Sequence, residues 1–505
     1  MKQKGLVAGA ALLTLLAIAN AQLIEPSSSA DLRKKAQKLN NDGNYKDALE
    51  IWQPLAVDQK NDPSLAGSDM LMAVTCLQAL NRDNESDDFR EKLVGIHSNN
   101  WRILYAAGQS LFGAQHYGTI IAGKFERGPH RGGGRYVNSF ERDRCRALQL
   151  MEQARSLVEI ASAASGADQN LKRSLASFYL EYAQMLMGYR GYQDAWRLQY
   201  LTDLSKLPDY EEGYWRGDYG GNSPRGAPVD KEANPVFHKV PKQWAASLSD
   251  GERWRWMLLQ AMELDPGTSS TILTQYAEFL HHQFGVETIA DYGNYFRGRD
   301  PEEEKTETGS MYQLHTLGED ETIARLATGV KRFKLPEDVN FIAIYRKLGA
   351  NDRLGEIFEN RRQYDKAADC WQKAGRNERV EQILGNWGQF EPVMTYSSGK
   401  EAGIDFRFRN GTKVHFTAQE INVRKLLDDV KEYLKSNPGD LNWENMDVQN
   451  IGYRLVEGNQ TKYVEKQVAE WDLDLKPRIM HFDKRITIQT PLKKAGAYLL
   501  TAKMT

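Results

Sequence analysis

Ala36-x2-Leu39-x8-Ala48-x3-Trp52, near the start of the chain, returns as Gly355-x2-Phe358-x8-Ala367-x3-Trp371. Each copy also places a Tyr three residues before the second Ala (Tyr45, Tyr364) and a Gln directly after the Trp (Gln53, Gln372). The spacing has a physical meaning. Small residues at Ala36 or Gly355 and at Ala48 or Ala367 let two antiparallel helices approach closely. Large residues at Leu39 or Phe358 and at Trp52 or Trp371 fill the groove beside that contact. Gly43-Asn44 and Arg362-Gln363 fall at the turn between the helices.

The pattern resembles tetratricopeptide-type helix pairs. The second copy matches better, through Leu354-Gly355-x2-Phe358, Ala367-x3-Trp371 and Ala374, with Asn351 where the pattern has Trp; the first has Lys35 in place of the Leu. Helical periodicity between the copies marks Arg144–Ala164, Leu171–Met187, Gly251–Leu264, Thr271–Phe284 and Ile323–Phe333. Two widely separated copies are not a regular array, so residues 22–390 are expected to form an irregular tetratricopeptide-like α-solenoid. Three insertions interrupt it: the basic, Gly-rich Lys124–Asn138, the aromatic, Gly- and Pro-rich Leu207–Lys242, and the charge run Arg297–Thr308.

From Glu391 the period changes to two. Ile404–Arg409 alternates apolar with polar, Asn410-Gly411 signals a hairpin, and Val414–Thr417 alternates back. Val423, Leu426, Leu427, Val430, Tyr433 and Leu434 then share a helical face, stopped by Asn437-Pro438-Gly439. Alternation resumes at Ile451–Val456, Trp471–Leu475, Ile486–Ile488 and Tyr498–Ala502. Residues 391–505 are therefore expected to form a β-sandwich with a helical insertion.

Phe408–Phe416, Trp471-Asp472-Leu473 and above all Ile488–Ala502, with its Pro491-Leu492 turn and Gly496-Ala497-Tyr498, carry a second resemblance. They are similar to the first macroglobulin-type domain of large exported bacterial alpha-2-macroglobulin-like proteins, in which a helical region often precedes a string of such sandwiches. The resemblance implies endopeptidase inhibition or envelope defence, with proteases engaged through the wider protein. An internal thioester would need a Cys-Gly-Glu-Gln run, and Cys76, Cys145 and Cys370 sit in other contexts. The strand pattern Tyr498–Met504 with Thr505 directly after it leads us to expect the N-terminal portion of a longer protein.

The N-terminus suggests the compartment. Lys2 and Lys4 precede the apolar run Gly5–Ile18 and the A-x-A site Ala19-Asn20-Ala21, the layout of a secretory signal peptide occupying residues 1–21. The chain is thus expected in the periplasm or outside the cell. Losing two lysines leaves 64 basic against 68 acidic residues, a mildly acidic mature chain with no global basic field for nucleic acid. Past the signal no apolar run approaches the ~18–20 residues of a membrane span, so the chain is expected to be envelope-associated at most. The three cysteines form no C-x-x-C pair, and Cys76 and Cys370 lie in apolar helical patterns that suit buried free thiols.

Motifs of catalysis are scarce. There is no H-E-x-x-H, G-x-S-x-G or phosphate-binding G-x-x-x-x-G-K-[ST]. His281 and His282 are adjacent in a helix and point to different faces, which is poor geometry for sharing a metal. Arg127, His130, Arg131 and Arg135, on the Gly-rich loop, have the chemistry to grip an anion. Tyr214 and Trp215, with Tyr210, Tyr219, Glu211 and Glu212, suit either partner or sugar contact or the pinning of a long loop. Trp254 and Trp256 flank Arg255 in residue types frequent at interfaces and equally suited to a core. We therefore expect no catalytic, cofactor or metal site, and a protein or peptide partner on the helical region. A stand-alone exported scaffold and a carbohydrate-active enzyme using Glu211 and Glu212 are the other readings open from the residues. Mass spectrometry of the exported protein is expected to find its first residue at Gln22; a mature chain retaining residues 1–21 would refute the signal assignment.

Overall fold

The structure is a computed structural model, and it describes residues 28–163, 168–213, 226–286, 313–391, 396–397, 399–436, 439–440, 442, 446, 451–458 and 460–505. A mostly helical N-terminal region is followed by antiparallel β-sheets with some helices. Packing divides the chain into two compact units: residues up to Phe284 with Ala324–Lys331, and Gly285–Ile323 with Arg332–Thr505. The second unit thus begins ahead of the change of period at residue 391, and among the described residues four of its α-helices precede that position.

In the first unit, α1 (Ser29–Asn41) and α2 (Tyr45–Val57) form the first expected pair. Ser28 caps α1 by accepting from the Asp31 N–H. Gly43 makes the turn at φ +80°, a left-handed conformation that favours glycine. Ala36 and Ala48 are fully buried, and Trp52 is buried with them. α2 packs on α3 (Ala66–Ala79), α3 on α5 (Trp101–Phe112) and α5 on α6 (Phe140–Ala163), with α4 (Ser86–Ile96) beside α5. α7 (Gln169–Met187) then packs on α8 (Asp250–Leu264), which leads into α9 (Ser269–Phe284). Cys76 and Cys145 are buried free thiols, as is Cys370 in the second unit. Burial pushes all three thiols above their ordinary range.

The first insertion is ordered as a sheet. Lys124–Asn138 is not a free loop: β1 (Tyr117–Ile121), β2 (Lys124–Arg127), β3 (Arg135–Asn138) and β4 (Glu211–Glu212) form an antiparallel sheet in the order β2-β1-β3-β4. Ala122 and Gly123, both at positive φ, turn β1 into β2, as a two-residue hairpin requires. Ile323–Phe333, expected as a helix, is instead a hairpin of β5 (Glu321–Leu326) and β6 (Gly329–Lys334). Ile323, Leu326, Val330 and Phe333 fit a helical template, but Gly329 lies at φ +124° and breaks it.

In the second unit, α10 (Phe341–Leu348) precedes the second pair, α11 (Asn351–Asn360) and α12 (Tyr364–Lys373), and α13 (Asn377–Leu384) packs on α12. A Cβ on Gly355 would stand 2.6 Å from the Trp371 ring. The indole therefore lies directly on the α11 backbone, the close approach that the small residue predicts. Arg362 takes the turn position of Gly43, also at positive φ.

Beyond α13, two three-stranded sheets share one core. β7 (Trp387–Phe390), β8 (Gly403–Arg409) and β11 (Lys484–Gln489) run in the order β11-β8-β7. β9 (Lys413–Ile421), β10 (Val464–Asp474) and β12 (Ala497–Met504) run in the order β10-β9-β12. Phe406, Phe408 and Ile488 meet Val414, Phe416 and Leu475 between them. α14 (Val423–Lys435) is the helical insertion; its Leu426 packs on Ile421, Leu455 and Tyr463.

Two expectations are corrected here. Asn410-Gly411 does not close a hairpin: β8 pairs with β7 and β11, β9 with β10 and β12. The inward residues of β8 and β9 point at the same core from opposite sides, so the turn is an arch between sheets. Asn410, at φ +61°, donates its side-chain amide to the Ile383 and Gly385 carbonyls, each at 2.9 Å. Ile451–Val456, expected as a strand, is a short helix, α15; over six residues the two periods are hard to tell apart. Gly355→Val is expected to lower stability by about 1–3 kcal/mol, because overpacking against Trp371 outweighs the small gain in helix propensity. Urea unfolding that left the midpoint unchanged would refute that contact.

Candidate functional site

The proposed anion-gripping residues separate into two groups. Arg127, at the end of β2, is buried. Its guanidinium donates to Asp143 at 2.7 and 3.0 Å, to Asp87 at 3.0 Å and to the Gln115 carbonyl at 2.5 Å. Asp143 also accepts from Ser139 Oγ at 2.6 Å and faces His116 Nδ1 at 2.9 Å, while Asp87 pairs with buried Arg90. Burial alone would push the Asp143 carboxyl up. Hydrogen bonds from His116, Arg127 and Ser139, with the charge of Arg127, outweigh that and hold it below the usual carboxylate range. Arg127 is thus occupied by the protein and corrects the expectation that it grips a ligand. Its work is to tie β2 to α4 and α6.

His130, Arg131 and Arg135 are exposed. The His130 ring folds over Gly132, where a Cβ would stand 3.0 Å from its Nε2. Arg135 pairs with Glu212 across β3 and β4 at 3.1 Å, a surface ion pair of small energetic weight. Glu211 and Glu212 are both exposed and, as neighbours on a strand, project to opposite faces. They do not converge on one point, as a pair of glycosidase carboxylates must. Tyr210 stacks on Phe125 at 4.6 Å with the Arg142 guanidinium 4.7 Å from its ring, pinning this end of the long insertion. Tyr214 and Trp215 lie outside the described residues, as do Tyr219 and the run Arg297–Thr308.

Trp254 and Trp256 are packing residues. Trp254 is buried against Phe279 and Tyr276, and Trp256 meets Tyr179 and Trp244 edge-on. Glu152 organises this cluster, accepting from Trp244 Nε1 at 3.1 Å, Tyr182 Oη at 3.0 Å and Arg155 at 2.8 Å. Among the described residues no group of His, Cys, Asp and Glu has the geometry to hold a metal, and no helix is long and apolar enough to cross a membrane.

A groove of about 530 Å³ lies on the first helix pair, between the outer face of α1 and Trp52 of α2. Arg33 lines it but is committed to buried Asp69, at 2.7 and 2.9 Å. Lys34 and Lys38 line it and have no ion-pair partner among the described residues. Trp52 is 4% exposed, and its indole N–H finds no acceptor. In the second pair, Trp371 Nε1 donates to Glu359 at 3.0 Å, and Arg379 holds that carboxylate at 2.8 Å. Asn40 stands at the position of Glu359, and its amide oxygen accepts from Cys76 Sγ at 3.2 Å. We read Trp52 from sequence only as a groove filler; the exchange of Glu359 for Asn40 between the copies was the available signal.

Asp143→Asn is expected to cost about 3–5 kcal/mol, because it leaves the buried Arg127 charge undercompensated. The same carboxylate sets a pH dependence. Its folded pKa lies below the unfolded value, so its stabilisation is full above the ordinary carboxylate range. It is lost as pH falls through that range toward the lowered folded value. Thermal melts of the two proteins between pH 3 and 7 check both: the difference should shrink on acidification, and a constant difference would refute the assignment.

No protein-family model matches the chain, and comparison with curated proteins finds no significant match.

Proposed function

We propose that the chain is an exported, non-enzymatic binding protein whose helical region docks a protein partner. The observation that carries this reading is the recurring helix pair. Gly355 lies against the Trp371 indole, Ala36 and Trp52 are buried at the matching positions of the first pair, and in the first unit successive helices pack on one another. Stacked helix pairs of this kind present an extended surface whose outward residues are free to meet another macromolecule. The finer fold assignment in this proposal is an irregular tetratricopeptide-like solenoid followed by a macroglobulin-type sandwich. Two three-stranded sheets around the Phe406–Phe416 core, with α14 inserted between β9 and β10, support the second part. Through that resemblance the chain would be the N-terminal portion of an alpha-2-macroglobulin-like endopeptidase inhibitor or envelope-defence protein, with proteases engaged by the wider protein.

The charged groups most suited to chemistry favour the non-enzymatic reading. Arg127, Asp143, His116 and Asp87 satisfy one another within the protein, and Glu211 and Glu212 diverge. The test is site-specific photocrosslinking in the exporting cell, with the reactive amino acid placed in turn at exposed helical positions and at exposed strand positions of β10. Helical positions are expected to give a discrete adduct that β10 positions do not. Adducts at no helical position would refute the reading. So would purified protein whose turnover of a substrate vanished on replacement of one carboxylate or histidine.

A further inference from the structure

α14 carries six apolar residues on one face, and the body of the second unit covers only part of it. Leu426 is buried, and Val430 and Tyr433 are half-buried. Val423, Leu427 and Leu434 remain 37, 40 and 49% exposed. At ~100° per residue these three fall within about 40° of one another and form one ridge along the helix. Around the helix from that ridge, away from the body, come Lys431, Arg424 and Lys435, all exposed. Arg424 and Lys435 have no ion-pair partner among the described residues, and Lys431 meets Asp428 only at 3.7 Å. Asp428 and Glu432 lie farther round. Asp429 faces the body, where it accepts from Lys462 Nζ at 2.6 Å and from Tyr463 Oη at 2.7 Å. The open flank of the apolar ridge is therefore bordered by cations.

We infer that this face of α14 lies on an anionic lipid surface. Val423, Leu427 and Leu434 enter the boundary between headgroups and acyl chains, and Arg424, Lys431 and Lys435 meet the headgroup phosphates. A helix with a strong apolar moment, a charged opposite face and cations at the edge is the form that rests in a membrane interface. The long Lys and Arg stems span the depth between the ridge and the headgroups. Charge and area select this occupant. A second copy laid antiparallel would bring the same basic flank of each helix together, and like charges would oppose the contact. A stable protein interface takes about 20–30 residues and ~800 Å² on each side, and three side chains less than half exposed fall far short of that. A lipid surface demands neither area nor a matched shape: a few apolar side chains give a marginal hold, and cations near an anionic leaflet add to it. Each contribution is small, so the association is reversible and depends on the anionic lipid. The surface belongs to the C-terminal half and is separate from the docking of a protein on the helical region.

The test is co-sedimentation of the purified mature chain with vesicles of phosphatidylcholine alone and of phosphatidylcholine mixed in equal parts with phosphatidylglycerol. Binding to the mixed vesicles is expected, weakening as salt is raised, with none to phosphatidylcholine alone. Leu427→Ser with Leu434→Ser should weaken it about tenfold. Arg424→Gln with Lys431→Gln and Lys435→Gln should weaken it at least as much. Val468→Ser, at an exposed apolar position on β10, should leave it unchanged. Failure to sediment with the mixed vesicles overturns the inference and leaves the face to an acidic protein segment. Wild-type affinity in the leucine variant overturns it too, showing attraction by charge alone, and equal binding to both vesicle types shows that the cations play no part. A dimer in solution that the leucine variant abolishes would assign the face to a second copy and equally refute it. If the leucine variant does not fold, the triple basic variant decides, and wild-type affinity in it is the refuting result.

Discussion

The contact of an indole with a helix that has almost no side chain at that point governs both helix pairs. The Trp371 ring would stand 2.6 Å from a Cβ on Gly355, and Trp52 is buried along with Ala36 and Ala48 at the matching positions of the first pair. The distance between the two helices is set by this contact, and the turn must then be tight enough to keep them antiparallel. Gly43 meets that demand with its own freedom. Arg362 meets it in the same left-handed region, where a side chain is held less comfortably. The large residue at Leu39 or Phe358 has its place only because the small one brings the backbones together.

The first unit adds a second kind of constraint. Arg127, Asp143, Asp87, Arg90 and His116 are buried or half-buried charges and polar groups arriving from β2, α4, α6 and the segment before β1. Burying them is tolerable only because each finds partners, and the removal of one leaves the others exposed to a low-dielectric surrounding. Such a network adds little net stability compared with an apolar core of the same volume. What it supplies here is geometry: the donors of Arg127 are met only when the small sheet sits in one register on the helices. The Glu152 cluster acts in the same way on the segment that carries Trp244.

Much of the fold was legible because periodicity reports which residues are buried. The positions of α1 and α2, α6 to α9, α11, α12 and α14, and of the five strands β8 to β12, follow from it. Periodicity is silent on partnership. Ile404–Arg409 and Val414–Thr417 were recognisable as strands facing a core, yet nothing local says whether two such strands lie side by side or opposite each other. Short segments escaped for another reason: Ile451–Val456 and Ile323–Phe333 satisfy two templates at once, and a glycine or a tertiary contact decides. The candidate site was legible only in part. Arginines in a Gly-rich stretch look free, and the carboxylates that capture Arg127 come from distant parts of the sequence. The unmet N–H of Trp52 becomes visible only when the two helix pairs are compared atom by atom.

The arch at Asn410-Gly411 has a consequence for how the chain reaches its native state. Because β8 and β9 belong to different sheets, neither layer is assembled from sequence neighbours on both sides. β8 waits for β11, and β9 waits for β10 and then β12, the last strand of the described chain. Contact order in this half is accordingly high, and its acquisition is slow relative to the local pairing of the helices. During synthesis, Phe406, Phe408, Val414 and Phe416 are made well before the strands that will shield them. Over that interval they are the segment most in need of a chaperone.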